Sequence, residues 1–254
     1  MTDVSKLLEA AALPHPAVLT GGSGRLGKEL KALLPGLLAP SRTQLDVTAS
    51  LDWLHEAKPK LIVHAAAFTD VAAAEQHRQE CWNLNVTATR KVARAAAKLD
   101  ARLVLISTDY VFWGDVGDYR EDDPPGPVRN YYALTKLLAE EAARAAMPAG
   151  RLLIIRTSFR ARQWPHPVAF SDLFTSQDYV DVLAPHIALA IAKADDIPHN
   201  TLHIAGRRRS ALELARERRP EVEPASRTSA NVDLPADISL NTDRWQQLLQ
   251  RFAA

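Results

Sequence analysis

Of the five tyrosines in the sequence, only Tyr132 has a lysine four residues on, at Lys136. On a helix that spacing puts both side chains on one face. An ammonium beside a phenol favours the phenolate, so such a pair can give or take a proton near neutral pH. A second chemistry-bearing stretch lies far upstream, at Thr20-Gly21-Gly22-Ser23-Gly24-Arg25-Leu26-Gly27. It fits G-x-G-x-x-G through Gly22, Gly24 and Gly27, and G-x-x-G-x-x-G through Gly21, Gly24 and Gly27. Glycines allow the tight turn and the close approach of backbone to a pyrophosphate. A helix beginning there offers free N–H groups and the positive end of its dipole to the anion.

The elements around these residues must hold them in place. Ala17 to Thr20 reads as a buried strand ahead of the glycine turn, and Leu26, Leu30, Leu33 and Leu34 mark one face of the helix after it. Leu37 to Ala39 reads as a second strand, Ser50 to Ala57 as a helix capped by Ser50, and Leu61 to His64 as a third strand. Val71 to Leu99 reads as two Ala-rich helices, Leu103 to Ile106 as a strand, Asn130 to Ala146 as a helix and Leu152 to Ile155 as a strand. This alternation predicts an α/β fold, a Rossmann-type doubly wound parallel sheet. Residues 1–15 are expected to be an N-terminal extension, carrying a short helix over 3–12. Residues 16–157 are expected to bind the cofactor, and 158–254 to form a small α/β substrate lobe interleaved with them. In that lobe 160–174 reads as irregular, 177–193 as a helix broken by Pro185, 202–204 as a strand, and Ser210 and Asp243 as helix starts.

The residues after the second strand choose the dinucleotide. NAD sites place Asp or Glu there to hold the ribose 2′-hydroxyl. This sequence has Pro40-Ser41-Arg42. Arg42 can pair with a 2′-phosphate and Ser41 can donate to it, with Arg25 adding charge. NADP(H) is expected to be preferred and NAD(H) tolerated. Asp46 and Val47 follow where an acidic side chain meets the adenine amino group.

Composition narrows the rest. The chain has 254 residues, net charge +1 and a single cysteine, Cys81. That balance gives no reason for nucleic-acid or membrane binding. One cysteine forms no internal disulfide, and Met1 to Leu13 lacks a signal-peptide pattern, so a cytoplasmic protein is expected. The arginines at 207–209, 216, 218 and 219 read as a solvated face. Cys81 reads as a packed residue and His64 as a hydrogen-bonded core histidine. His199 and His203 flank a strand-like run and converge on no metal site.

Six stretches together carry a resemblance. They are Thr20 to Gly27, Leu45-Asp46-Val47-Thr48, Ala65-Ala66-Ala67-Phe68-Thr69-Asp70-Val71, Asn83-Leu84-Asn85-Val86, Ser107-Thr108-Asp109-Tyr110-Val111-Phe112 and Tyr132 to Lys136. In this order and spacing the chain resembles the extended short-chain dehydrogenases/reductases, and among them the dTDP-4-dehydrorhamnose reductase family. The resemblance implies reduction of a nucleotide-linked 4-keto sugar. Tyr132 would donate the proton, Lys136 would bind the nicotinamide ribose, and Thr108 would hydrogen-bond the sugar oxygen. Asp109 and Phe159 would touch substrate. Ala65, Ala66, Ala67 and Thr69 would line the cofactor, with Asn85 in support. Dehydratases of the superfamily carry Thr-Asp-Glu where this chain has Thr108-Asp109-Tyr110, which favours reduction over elimination of water. Relatives often form homodimers.

The chain also departs from that family. Phe159 stands where a tryptophan is usual, 160–176 is short and proline-rich, and a late Arg-Pro segment is Leu234-Pro235-Ala236-Asp237. A trimmed lobe leaves two other readings open: a non-catalytic or regulatory NADP(H)-binding module, as in the regulatory subunit of methionine adenosyltransferase, or a reductase of a smaller carbonyl.

Overall fold

The structure is a computed structural model that describes residues 3–230 and 233–254. Met1 and Thr2, at the head of the expected extension, lie outside the described residues. In chain order, helix α1 (Val4–Glu9) precedes β1 (Ala17–Thr20), α2 (Arg25–Leu33), β2 (Leu37–Leu38), α3 (Asp52–Ala57) and β3 (Leu61–His64). There follow α4 (Val71–Gln76), α5 (Arg78–Trp82), a π-helical turn over Asn83–Thr87, α6 (Ala88–Lys98), β4 (Arg102–Thr108), α7 (Tyr131–Ala146) and β5 (Leu152–Thr157). Short strands β6 (Phe159–Arg160), β7 (Val168–Phe170), β8 (Phe174–Thr175) and β9 (Asp178–Tyr179) lead to α8 (Val180–Ala192) and β10 (Thr201–His203). The chain ends with β11 (Arg209–Ser210), α9 (Ala211–Arg216), β12 (Glu223–Ala225) and α10 (Asp243–Ala253).

The main sheet has six parallel strands in the order β10-β5-β4-β3-β1-β2. Alternate residues on each strand face opposite layers. Leu19, Leu61, Val63, Leu153 and Ile155 pack against α2, α8 and α10. Val18, Ile62, Leu103, Leu105 and Ile154 pack against α3, α6 and α7. Both faces are covered, which explains the unbroken apolar runs in the sequence. The strand order reverses at β1, with β2 on one side and β3 on the other, and ligands of such sheets bind in the crevice above that point.

Several boundaries differ from expectation. The second strand is only β2. Helix α3 starts at Asp52, whose N–H donates to Ser50 Oγ at 3.2 Å. The helical stretch over 71–99 breaks at His77 and then carries the π-helical turn. The region 160–174 contains short strands that pair with β9, β11 and β12, too short for any period to show. Residues 178–179 are strand, so the later helix begins only at Val180. Pro185 lies inside that helix without splitting it, on a half-exposed face. The arginine face is not wholly solvated either. Arg209 is buried, 2.8 Å from Asp178 and 3.5 Å from Glu217, because a guanidinium leaves water only with carboxylates beside it. Cys81 and His64 are both buried.

Helix α7 is tied to the sheet by a buried ion pair. Glu140 accepts from Arg156 Nε at 3.0 Å and Nη2 at 2.8 Å, and from Ser107 Oγ at 2.5 Å. Removing one partner leaves the other charge stranded in the core. Glu140→Ala is expected to lower the unfolding free energy by about 3–5 kcal/mol in urea denaturation. A loss below about 1 kcal/mol would show that the pair does not hold α7 to β4 and β5.

Candidate functional site

A cleft of about 950 Å³ runs over the C-terminal ends of β1, β3, β4 and β5. Gly21, Gly24, Arg25, Leu26 and Gly27 line one end. Gly21 has φ +78°, and a Cβ there would sit 2.6 Å from Ala66 N. A Cβ on Gly27 would collide with Gly21 O and lie 2.8 Å from Gly22 Cα. These two positions are glycine because three pieces of backbone meet there. Helix α2 starts at N-cap Gly24, which makes no side-chain cap, so its first N–H groups remain open to the cleft. An uncapped helix end on a glycine turn suits a phosphate group.

Ser41, Arg42, Asp46 and Val47 line the cleft beside β2. Arg42 Nε lies 3.3 Å from Asp46 Oδ2, with the arginine side chain 82% exposed. Hydrogen bonds from Thr48, with Arg42 adding, hold the Asp46 carboxyl below its usual range. An ion pair this exposed contributes little, so Arg42 is free to turn to a stronger anion.

Ala65, Ala66, Ala67 and Thr69 line the middle of the cleft. Behind them runs a buried chain of hydrogen bonds. Thr89 Oγ1 donates to Asn85 O at 2.6 Å, so it accepts from His64 Nε2 at 3.1 Å. The other ring nitrogen, Nδ1, then accepts from Thr20 Oγ1 at 2.7 Å, whose oxygen accepts from Ala66 N at 3.4 Å. Only the Nε2–H tautomer satisfies every link. Burial pushes the His64 imidazole down to about 3, so it stays neutral.

Asn85 does not reach the cleft. It sits in the π-helical turn, where Oδ1 accepts from Phe68 N at 2.7 Å and Nδ2 donates to Phe68 O at 3.1 Å and Thr135 Oγ1 at 2.9 Å. Its amide braces the loop after β3 against α7 instead of meeting a ligand.

The far end gathers Thr108 from β4, Tyr132 and Lys136 from α7, and Phe159 from β6. Asn130 caps α7 by accepting from Ala133 N at 2.8 Å, which sets the helix start and hence the face on which Tyr132 and Lys136 lie. Burial raises the Tyr132 phenol well above its ordinary value, and a hydrogen bond with Thr108 pulls it back. Lys136 was expected to lower that phenol. Instead its Nζ donates to Ile106 O at 2.8 Å, and burial pushes it down to about 8 against the pull of Glu140. Asp109 does not line the cleft. It is fully buried, its Oδ1 accepts from Thr108 Oγ1 at 2.9 Å, and burial raises its carboxyl to about 6. The Thr108 hydroxyl thus stands between a buried carboxyl and the Tyr132 phenol.

The cleft also holds residues that sequence reasoning missed: Tyr110, Ser158, Arg160 and Gln177. Arg160 and Gln177 come together because β6 pairs with β9, Phe159 opposite Asp178 and Arg160 opposite Tyr179. No sequence signal marks a two-residue pairing.

Residues 16–184 match the model of the RmlD substrate binding domain. The dTDP-4-dehydrorhamnose reductase of Mycobacterium tuberculosis is 35% identical over 153 residues, 56% of this chain and 49% of that protein. The chain thus spans about half the length of this curated relative. Methionine adenosyltransferase 2 subunit beta of Bos taurus is 41% identical over 98 residues, 39% of this chain and 29% of that protein. Among solved structures, the dTDP-4-dehydrorhamnose reductase of Bacillus anthracis in complex with NADP superimposes with a TM-score of 0.79 at 25% identity, over 95% of this chain and 98% of that one. Its match spans the whole Rossmann-like architecture.

The neutral, buried His64 makes a measurable prediction. The unfolded imidazole takes up a proton below about 6.5, whereas the folded one does so only near 3. Between those values the unfolded state binds more protons, so stability falls as pH falls. The slope of unfolding free energy against pH between about 4 and 6 is expected to drop by up to about 1.4 kcal/mol per pH unit in His64→Gln. An unchanged slope would mean that His64 is charged in the folded protein.

Proposed function

We propose, for a chain that belongs to the RmlD substrate binding domain family, the NADPH-dependent reduction of a nucleotide-linked 4-keto sugar. The observation that carries this reading is that Tyr132, Lys136 and Thr108 converge at one end of the cleft whose other end is the glycine turn. A dinucleotide laid along that cleft would have its phosphates held at Gly21, Gly24 and Gly27 and its nicotinamide directed toward Tyr132. We assign residues 16–157 to cofactor binding, and assign the substrate side to segments of 158–254.

The first N–H groups of α2, with Arg25 beside them, hold the pyrophosphate, and Ser41 and Arg42 hold a 2′-phosphate. Asp46 and Val47 flank the adenine. Ala65, Ala66, Ala67 and Thr69 leave a flat floor beneath the dinucleotide. NADPH, when bound, supplies the hydride. With substrate bound, Thr108 Oγ1 turns its single proton from Asp109 Oδ1 to the sugar oxygen and aligns that oxygen with Tyr132. Tyr132 gives its phenolic proton to that oxygen as negative charge builds there. A phenol pushed up by burial is a neutral acid at physiological pH, the state a proton donor needs. Lys136 binds ribose hydroxyls, and its ammonium then stabilises the phenolate that remains. Phe159 packs its ring on the sugar. Asp109 and Asn85 act from behind the wall, one holding the Thr108 hydroxyl and the other the loop after β3.

The substrate is a soluble nucleotide sugar, and among the described residues no helix is long and apolar enough to cross a membrane. We also propose a cytoplasmic location for the reaction and a homodimer. A second reading, a binding module without turnover, draws on the likeness to the subunit beta of methionine adenosyltransferase 2.

Two measurements test this. With NADPH and dTDP-4-dehydrorhamnose the parent protein is expected to oxidise NADPH. Tyr132→Phe is expected to reduce kcat roughly 10²- to 10⁴-fold while NADPH affinity stays within about twofold. Tight NADPH binding with no consumption by the parent would favour the binding module. In a separate titration, Arg42→Ala is expected to weaken NADPH roughly tenfold or more and leave NADH unchanged. Equal weakening of both would remove Arg42 from 2′-phosphate recognition.

A further inference from the structure

The arginines of the last hundred residues are mostly spoken for. Arg156 pairs with Glu140, Arg162 with Glu29, Arg208 with Asp237, Arg209 with Asp178, Arg218 with Asp181 and Arg219 with Glu221. Arg160 differs. It lines the cleft, and no carboxylate pairs with it among the described residues. Only its Nε is engaged, donating to Gln177 Oε1 at 2.8 Å. Both Nη groups lack an acceptor among the described residues.

Arg160 is also held in place before any ligand arrives. Gln177 is itself fixed, since its Nε2 donates to Ser158 Oγ at 2.8 Å. The guanidinium carbon lies 5.1 Å from the centroid of the Trp164 ring, and that ring is buried in the core of the small lobe. An arginine braced at Nε and stacked on an indole presents its two remaining amino groups as a fixed fork. That fork matches two oxygens of a phosphate.

Position decides which phosphate. Arg160 follows β5, next to Phe159 and close enough for its charge to act on Tyr110, at the Thr108 and Tyr132 end. Ser41 and Arg42 follow β2, four strand spacings away in the sheet, on the order of 19 Å. A 2′-phosphate held there is out of reach. The pyrophosphate at the start of α2 already has a glycine turn and uncapped N–H groups. A sugar whose reacting carbon lies against Tyr132 carries its diphosphate on the opposite side of its ring, about one ring width away. We propose that Arg160, fixed by Gln177 and Trp164, is the residue that grips the diphosphate of the sugar-nucleotide substrate. This rests on the sugar-nucleotide reading and adds to it a specificity-determining residue. It favours the diphosphate over neutral carbonyl compounds of similar size, because these offer the fork no pair of anionic oxygens.

The test uses binding alone. The protein is saturated with NADPH, and dTDP and thymidine are titrated by calorimetry into the parent, Arg160→Met and Arg160→Lys. Arg160→Met is expected to weaken dTDP roughly 10- to 100-fold, the range for a charge-assisted hydrogen-bond pair. Thymidine, which lacks the diphosphate, is expected to bind all three proteins alike. Arg160→Lys keeps the charge but not the fork and is expected to recover only part of the loss. NADPH affinity within about twofold of the parent shows that each variant is folded. Undiminished dTDP affinity in Arg160→Met would overturn the proposal. So would equal losses for dTDP and thymidine, a loss of NADPH affinity in place of dTDP affinity, or a parent that binds no dTDP. If dTDP binding depends on Arg160 but the parent turns over no keto sugar, the diphosphate grip stands and the reductase reading falls.

Discussion

The close approach of Gly21 to the backbone of Ala65 and Ala66 is the constraint on which the rest of the site depends. It joins the C-terminal ends of β1 and β3, the adjacent strands at which the order of the sheet reverses. A side chain at position 21 would push these ends apart, and φ of +78° already disfavours one. With the two ends together, α2 begins directly over the crevice. The Thr20, His64 and Thr89 chain then locks Ala66 to the layer beneath. Neutral polar links suit this place, because a charge so deep would need a partner.

The reacting end depends on a different ruler, the pitch of α7. Tyr132, Lys136 and Glu140 follow at intervals of four along one face. Glu140 is anchored to Arg156 of β5 and Ser107 of β4. That anchor fixes how far along β4 the helix sits, so Lys136 meets Ile106 O and Tyr132 meets Thr108. A slip of one turn, about 5.4 Å, would separate phenol from hydroxyl altogether. The buried ion pair is then a registry device as much as a source of stability.

These two rulers also explain what could be read from the sequence. The glycine turn, the alternation of strands and helices, and the Tyr132 and Lys136 spacing are local patterns, set by φ/ψ limits and helical period. All appear in the structure, with boundaries shifted, and Ser41, Arg42, Ala65, Ala67 and Phe159 line the cleft. Asp109 and Asn85 were harder. A motif shows that a polar residue belongs near a site but not which way its side chain turns, and burial turned both inward. The small lobe was largely illegible. Its strands have two or three residues and pair across gaps of up to about fifty, so neither periodicity nor spacing marks them.

That illegible part is where we propose that substrate choice resides. The glycine-turn end is a backbone site: its open donors are N–H groups, and its glycines are demanded by packing. Few sequences satisfy it, which makes it recognisable. The Arg160 side of the far end is lined by side chains on short strands, held by a separate small core of Trp164, Tyr179, Leu214 and Val222. Such strands tolerate replacement of the residues they present, provided that core persists. Arg160 stands beside the Thr108 and Tyr132 machinery without belonging to it, braced by a glutamine and an indole that belong to the lobe. On the proposed reading, a change there alters what is held without moving Tyr132. The fold thereby separates Tyr132 and Lys136, registered by one helix, from side chains that a different core holds.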